Sequence, residues 1–272
     1  MQSPPPPAPS AHIGVLLREW RSTRRMSQLD LALEANVSAR HLSYMETGKA
    51  QPSRDMVMRL AEVLDVPLRE RNSMLVAAGY APTYRESPLS MEALAPVRRA
   101  LEFILDHQNP CPAFVMNRYW DVQMTNAAML SIFGQLKEGG PKHTNILRQV
   151  FDPQDMRPLV ANWEEVAGDL IRHLHAEIAA SPSDSRLRAL LDEVLSYPDV
   201  PAAWRTREPD MNPLPLLTTA FRSQDIELRF FSTLTTFGTT RDVTLDELRI
   251  ECMFPVDEET ARRCRELAGG PT

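Results

Sequence analysis

The stretch SQLDLALEANVSARHLSYMETGKAQPS, residues 27–53, decides how the first part of this 272-residue chain folds. Ser27 is an N-cap residue, and Leu29, Leu31, Ala32 and Leu33 supply an apolar face for a short helix through Ala35. Ser38 caps a second short helix, ending near Thr47–Gly48, in which Leu42 and Met45 point inward. The turn between them is Glu34-Ala35-Asn36-Val37, and Asn36 tolerates the left-handed backbone that such a turn needs. Pro52–Ser53 opens a further helix, with Met56, Val57, Leu60, Ala61 and Leu64 recurring at three and four. Working outward, Ile13, Leu16, Leu17 and Trp20 predict a helix over 12–25, and 68–79 reads as a helix closed by Gly79. Five helices with short connections make an all-α bundle over 11–80. Residues 1–10 hold five prolines and read as a disordered or polyproline-like arm. Residues 81–89 read as a linker.

The pattern then changes to α+β over 90–272. A helix is predicted over 90–107, with Leu94, Val97, Leu101, Ile104 and Leu105 as its buried stripe. AFVMN (113–117) and YWDVQMT (119–125), joined at Asn117-Arg118, form a hairpin, and Asn126 caps a helix ending at Gly134. Two more helices are expected over 155–180 and 184–196. Strands follow at 215–221, 226–237 and 248–254, with a turn at Arg222–Asp225. Asp257 caps a last helix that ends at Gly269-Gly270.

Composition removes several classes. Hydrophobic residues make up 43% and charged residues 24%, a globular balance. No apolar run approaches the ~18 residues of a membrane span, and Met1–Ser10 is no signal peptide, so a cytoplasmic protein is expected. Cys111, Cys252 and Cys264 are far apart, with no CxxC pair, so neither a disulfide framework nor a thiolate metal site is implied. No GxGxxG, GxxxxGK[ST], GxSxG or HExxH occurs, and no catalytic constellation is visible; the expectation is a non-enzyme with no metal and no cofactor. The net charge of −6 is uneven. Residues 11–80 carry ten basic and eight acidic side chains, leaving 20 basic against 28 acidic elsewhere. A polyanion would therefore meet the N-terminal part.

Two short helices joined by a tight turn place the second helix in a DNA major groove. Ser38, Ala39, Arg40, His41, Ser43 and Tyr44 occupy its outward positions and suit hydrogen bonding to bases and phosphates. Ser27 and Gln28 open the preceding helix, where N–H groups and an amide meet a phosphate, and Thr47 and Lys49 reach the backbone. Arg21, SQLDLALEANVS (27–38) and YMETGKAQPS (44–53) together resemble the repressor-type helix-turn-helix of the Xre family. That resemblance implies a buried Arg21–Glu46 ion pair of structural role. It also implies base readout by Ala39, Arg40, Ser43 and Tyr44 and phosphate contact by Gln28, Thr47 and Lys49. The expected assembly is a homodimer on a roughly palindromic operator.

The C-terminal stretch NPCPAFVMNRYWDVQMTNAAMLSIFG (109–134), followed by TNILRQVF (144–151), NWEEVA (162–167) and AAWRTRE (202–208), resembles the PAS-like C-terminal domain of MmyB-like transcription regulators. The resemblance implies a pocket for a small apolar ligand, a fatty acid or similar acyl molecule. Candidate lining residues are Phe114, Trp120, Met124, Met129, Phe133, Trp204 and Phe230, each of which reads first as ordinary core. Asn117, Arg118 and Asn126 are candidates for a ligand's polar head, although Asn117-Arg118 is also a plain turn and Asn126 a plain N-cap. A second reading makes this domain a ligand-free dimerisation or protein-interaction module.

Overall fold

The computed structural model describes residues 12–181, 184–206, 216–224 and 226–269. The proline-rich stretch 1–10, Asp225 and Gly270 lie outside them. The chain divides into two compact units.

The first unit contains residues 12–87 and Thr239–Asp246. Its helices are α1 (Ile13–Thr23), α2 (Gln28–Glu34), α3 (Ala39–Glu46), α4 (Arg54–Val63) and α5 (Leu68–Ala77). Their starts follow the caps: Ser27, Ser38 and Ser53 accept from the N–H three residues on, and Ser27 with Asp30 forms a capping box. Asn36 takes φ 52° in the α2–α3 turn. Ile13, Leu17, Leu31, Leu42, Met45, Val57, Leu60, Leu64, Met74 and Leu75 are fully buried in one core. Glycine is required at position 14: a Cβ there would stand 2.6 Å from the carbonyl oxygens of Met45 and Glu46, so α1 reaches the end of α3 only because position 14 has no side chain. The stretch read as a linker carries structure in this unit. Asn72 accepts from the N–H groups of Thr83 and Tyr84, Arg69 pairs with Glu86, and Arg85 bridges to Asp242. The short helix α11 (Val243–Asp246), which lies between two strands in the sequence, packs on α5 with Val243 buried.

The second unit, residues 88–238 and 247–272, is α+β. Its helices are α6 (Ala95–His107), α7 (Ala127–Leu136), α8 (Ile146–Phe151), α9 (Trp163–Ala180), α10 (Ser185–Val194) and α12 (Glu258–Leu267). Its strands are β1 (Ala113–Met116), β2 (Val122–Thr125), β3 (Thr218–Ser223), β4 (Ile226–Thr235) and β5 (Arg249–Pro255). They form one antiparallel sheet of order β2-β1-β5-β4-β3. Phe114, Glu251 and Leu234 stand side by side across β1, β5 and β4, as do Met253 and Ser232 across β5 and β4. On the opposite face Val115 and Ile250 pair and are also buried, with α6 packed on β1.

Several boundaries differ from the sequence reading. The helix expected over 90–107 begins as a 3-10 turn at Glu92–Leu94, and Pro96 sits in the first turn of α6. The segment expected as one helix over 155–180 is split. Pro158 lies in a 3-10 turn, Arg157–Leu159, and α9 starts only after Asn162. The final hairpin is tighter than expected: pairing runs to Ser223↔Ile226, and Gln224 takes φ 47°.

Candidate DNA-reading helix and ligand cavity

In the first unit, one ion pair fixes α3 against α1. Arg21 Nε donates to Glu46 Oε1 at 2.7 Å and Nη2 to Oε2 at 3.0 Å, a bidentate contact with the Glu46 side chain 0% exposed. Burial pushes the Glu46 carboxyl up. Hydrogen bonds from Arg21 and Gln28 and the charges of Arg21 and Arg18 outweigh it and hold the carboxyl below its ordinary range. The Gln28 amide, expected at a phosphate, here donates to Glu46 Oε2 at 2.8 Å. Arg24 donates to the Leu64 carbonyl, closing the end of α4.

The outward face of α3 carries the other candidates. Ser38 is used as the N-cap and Ala39 is half-buried. Arg40 and His41 are exposed, and Ser43 and Tyr44 are half-buried. Arg40 Nε donates to the Tyr44 hydroxyl at 3.0 Å, and both Arg40 and Lys49 lie over the Tyr44 ring. Thr47, exposed, donates to the Ser43 carbonyl. Arg40, Tyr44 and Lys49 thus form one solvent-facing cationic and aromatic group.

The second unit encloses a cavity of about 350 Å³ between the sheet and α7–α9. Phe114, Met253, Ser232, Leu234, Thr219 and Phe221 line it from the sheet, and Met129, Phe133, Ile146, Val150, Val166 and Leu170 from the helices. Its mouth carries Leu216 and Leu234, 54% and 52% exposed. Four of the sequence candidates lie on its wall: Phe114, Trp120, Met129 and Phe133. Trp120 holds φ 66°, a left-handed backbone that a bulky residue rarely adopts, and its indole N–H donates to Glu177.

The other candidates are placed elsewhere. Asn117 Oδ1 accepts from the N–H groups of Tyr119 and Asp121, which shapes the β1–β2 turn. Arg118 is buried against Glu247 and Asp184. Asn126 is 2% exposed and caps α7; its oxygen accepts from Met129 and Ala113, and its amide donates to the carbonyls of Leu105 and Cys111. Met124 lies on β2, away from the cavity wall. Trp204 packs on Trp163 and Phe151, and Phe230 is fully buried beside Phe221.

Three ionisable residues on the wall were not among the ligand candidates read from the sequence: Asp169, His173 and Glu251. Asp169 is bound by Arg172 at 2.8 Å and by His173 at 3.2 Å. The hydrogen bond to Asp169 raises the His173 imidazole above its ordinary range, against burial. Burial pushes the Glu251 carboxyl up, opposed by a hydrogen bond with Ser232 and the charge of His173. Glu251 was missed because its strand, LRIECMF, alternates and reads as having one wet face. In the structure that face is half-buried and borders the cavity.

No curated protein matches the chain. Among solved structures, one titled "Structure of an RNA-binding Light-Oxygen-Voltage Receptor" aligns at 12% identity with a TM-score of 0.26. The alignment covers 94% of this chain and 60% of that one, so the chain spans less than two thirds of its length. Family models are decisive. A helix-turn-helix domain model matches residues 12–74, over α1–α5. The MmyB-like transcription regulator ligand binding domain model matches residues 97–267, more than half of the chain and all of the cavity wall. The chain belongs to the MmyB-like transcription regulators, with a helix-turn-helix domain ahead of the ligand-binding domain.

Proposed function

We propose that this regulator binds a specific operator as a homodimer through α3, in the repressor-type manner, and that a small, largely apolar ligand in the second unit tunes that binding. The observation that carries the reading is the cavity. A volume of about 350 Å³ lined mainly by apolar side chains, with a few convergent polar groups, is the form of a small-molecule site. It favours a sensor over a ligand-free interaction module. Arg40, Tyr44 and Lys49 supply base and phosphate contacts on an exposed helix. Gln28 supports readout indirectly in this account, by holding Glu46 and thereby α3.

Coupling has a covalent basis. The chain leaves the second unit after β4, contributes Thr239–Asp246 to the first, and returns to β5. Leu234 and Glu251, both on the cavity wall, flank that excursion. Ligand that shifts these strands biases a segment seated on the helix-turn-helix unit. A dimer must present its two α3 helices about 34 Å apart to reach successive half-sites, so modest rearrangement changes affinity.

Native mass spectrometry of the full-length protein, with denaturing analysis of anything bound, tests the reading. A dimer carrying one apolar molecule per subunit is expected. A monomer removes the palindromic mechanism. An empty dimer that takes up no alkyl ligand when challenged removes the sensor.

A further inference from the structure

Glu251 occupies an unusual place. β5 is the central strand of the sheet, and Glu251 stands on its inner face between Phe114 of β1 and Leu234 of β4. Glu251 is half-buried there, and a partly desolvated ionisable group serves packing less well than a hydrophobic one. What favours its ionised form is weak: Ser232 and the charge of His173 act on it against burial.

The titratable groups on the cavity wall are two acids and one histidine. Asp169 and Glu251 are on the wall with His173, and neither Lys nor Arg lines it. His173 is already bound by Asp169, which also holds Arg172. Arg249, the next residue along the same face of β5, is tied to Glu177 and lies over the Trp120 ring. A carboxylate brought into this space would meet two acidic side chains, and the wall's one cationic group, His173, is already engaged by Asp169. A donor would meet an acceptor that lacks a strong partner.

We infer that the ligand is an amphiphile whose apolar body fills the cavity and whose cationic, hydrogen-bond-donating head, a protonated amine, pairs with Glu251. The inference rests on the reading of the cavity as a ligand site, and it separates this chain from an acid-binding expectation. Such a head makes a charge-assisted bond where the wall offers an unspent carboxylate. It also supplies the positive charge that favours the ionised form of a carboxyl that burial otherwise raises.

Calorimetric titration of the full-length protein with n-decylamine, n-decanol and n-decanoate, each below its micelle concentration, tests this. One chain length keeps the apolar term constant. Decylamine is expected to bind at least about tenfold more tightly than decanoate. Glu251→Gln is expected to weaken decylamine about ten- to a hundredfold, the scale of one charged hydrogen bond, and to leave decanol unchanged. Glu164→Gln, on an exposed helix face, is expected to change none of the three. Decanoate binding as tightly as decylamine overturns the head-group assignment while leaving the cavity a ligand site. A decylamine advantage that survives Glu251→Gln overturns the role of Glu251. Failure of all three, decanol included, overturns the ligand-site reading and the inference with it.

Discussion

At the scale of single residues, unlike environments separate groups of one chemical type. Glu46 is buried and Glu251 half-buried, yet Glu46 is fully paired and Glu251 is not. Arg21→Ala would leave the Glu46 carboxylate buried without its main partner and should cost about 3–5 kcal/mol in urea unfolding. Because the folded Glu46 carboxyl is held below its ordinary value of about 4.5, its contribution is present above that pH. It is lost as pH falls through the lowered folded value, and Glu46→Gln should flatten that acid limb of the stability curve. The cysteines divide similarly. A hydrogen bond from the Cys264 thiol, helped by the Arg265 charge and opposed by burial, lowers Cys111 to about 7. Cys264 is raised by that same hydrogen bond and by burial, and burial with the Glu251 charge raises Cys252. Iodoacetamide at neutral pH should therefore modify Cys111 first, and peptide mass spectrometry would show it; equal labelling of all three would contradict the account. Sequence alone left Cys111 without a partner, since Cys264 lies at the far end of the chain.

At the scale of elements, what was legible was what is local. Ser27, Ser38, Ser53, Asn126 and Asp257 all stand as N-caps, where short polar side chains had placed helix starts. Asn126 also shows the limit. Its type allowed a cap or a ligand contact, and only its four hydrogen bonds to the surrounding backbone decide for the cap. The short helices α8 and α11 were not read as helices, because six and four residues give too little periodicity to register. Gly14 illustrates a packing constraint invisible to helix propensity. Gly14→Ala improves propensity, but its methyl meets backbone oxygens that cannot move cheaply. The expected net effect is a loss of about 1–3 kcal/mol, read by thermal or urea unfolding. For α3, Arg40→Ala should weaken operator binding by about 1–3 kcal/mol and relax specificity at one position. Unchanged affinity across operator variants would remove Arg40 from the readout.

At the scale of the whole molecule, the division into a basic-leaning helical part and an acidic α+β part follows from charge and periodicity in the sequence. The excursion of Thr239–Asp246 into the first unit does not, because nothing in TTRDVTLD states which long-range surface will bury Val243. Nor does the cavity, whose wall draws on all three sheet strands from β3 to β5, on β1, and on three helices. In the proposed mechanism, occupancy of this cavity alters DNA affinity. Its most direct measurement is the operator dissociation constant, by fluorescence anisotropy on DNA recovered from a random pool, with the cavity empty and then saturated with the tightest-binding alkyl ligand. The account predicts a change of about five- to 150-fold, the usual range of coupling between two sites. An affinity that is the same with the cavity empty and full would contradict it.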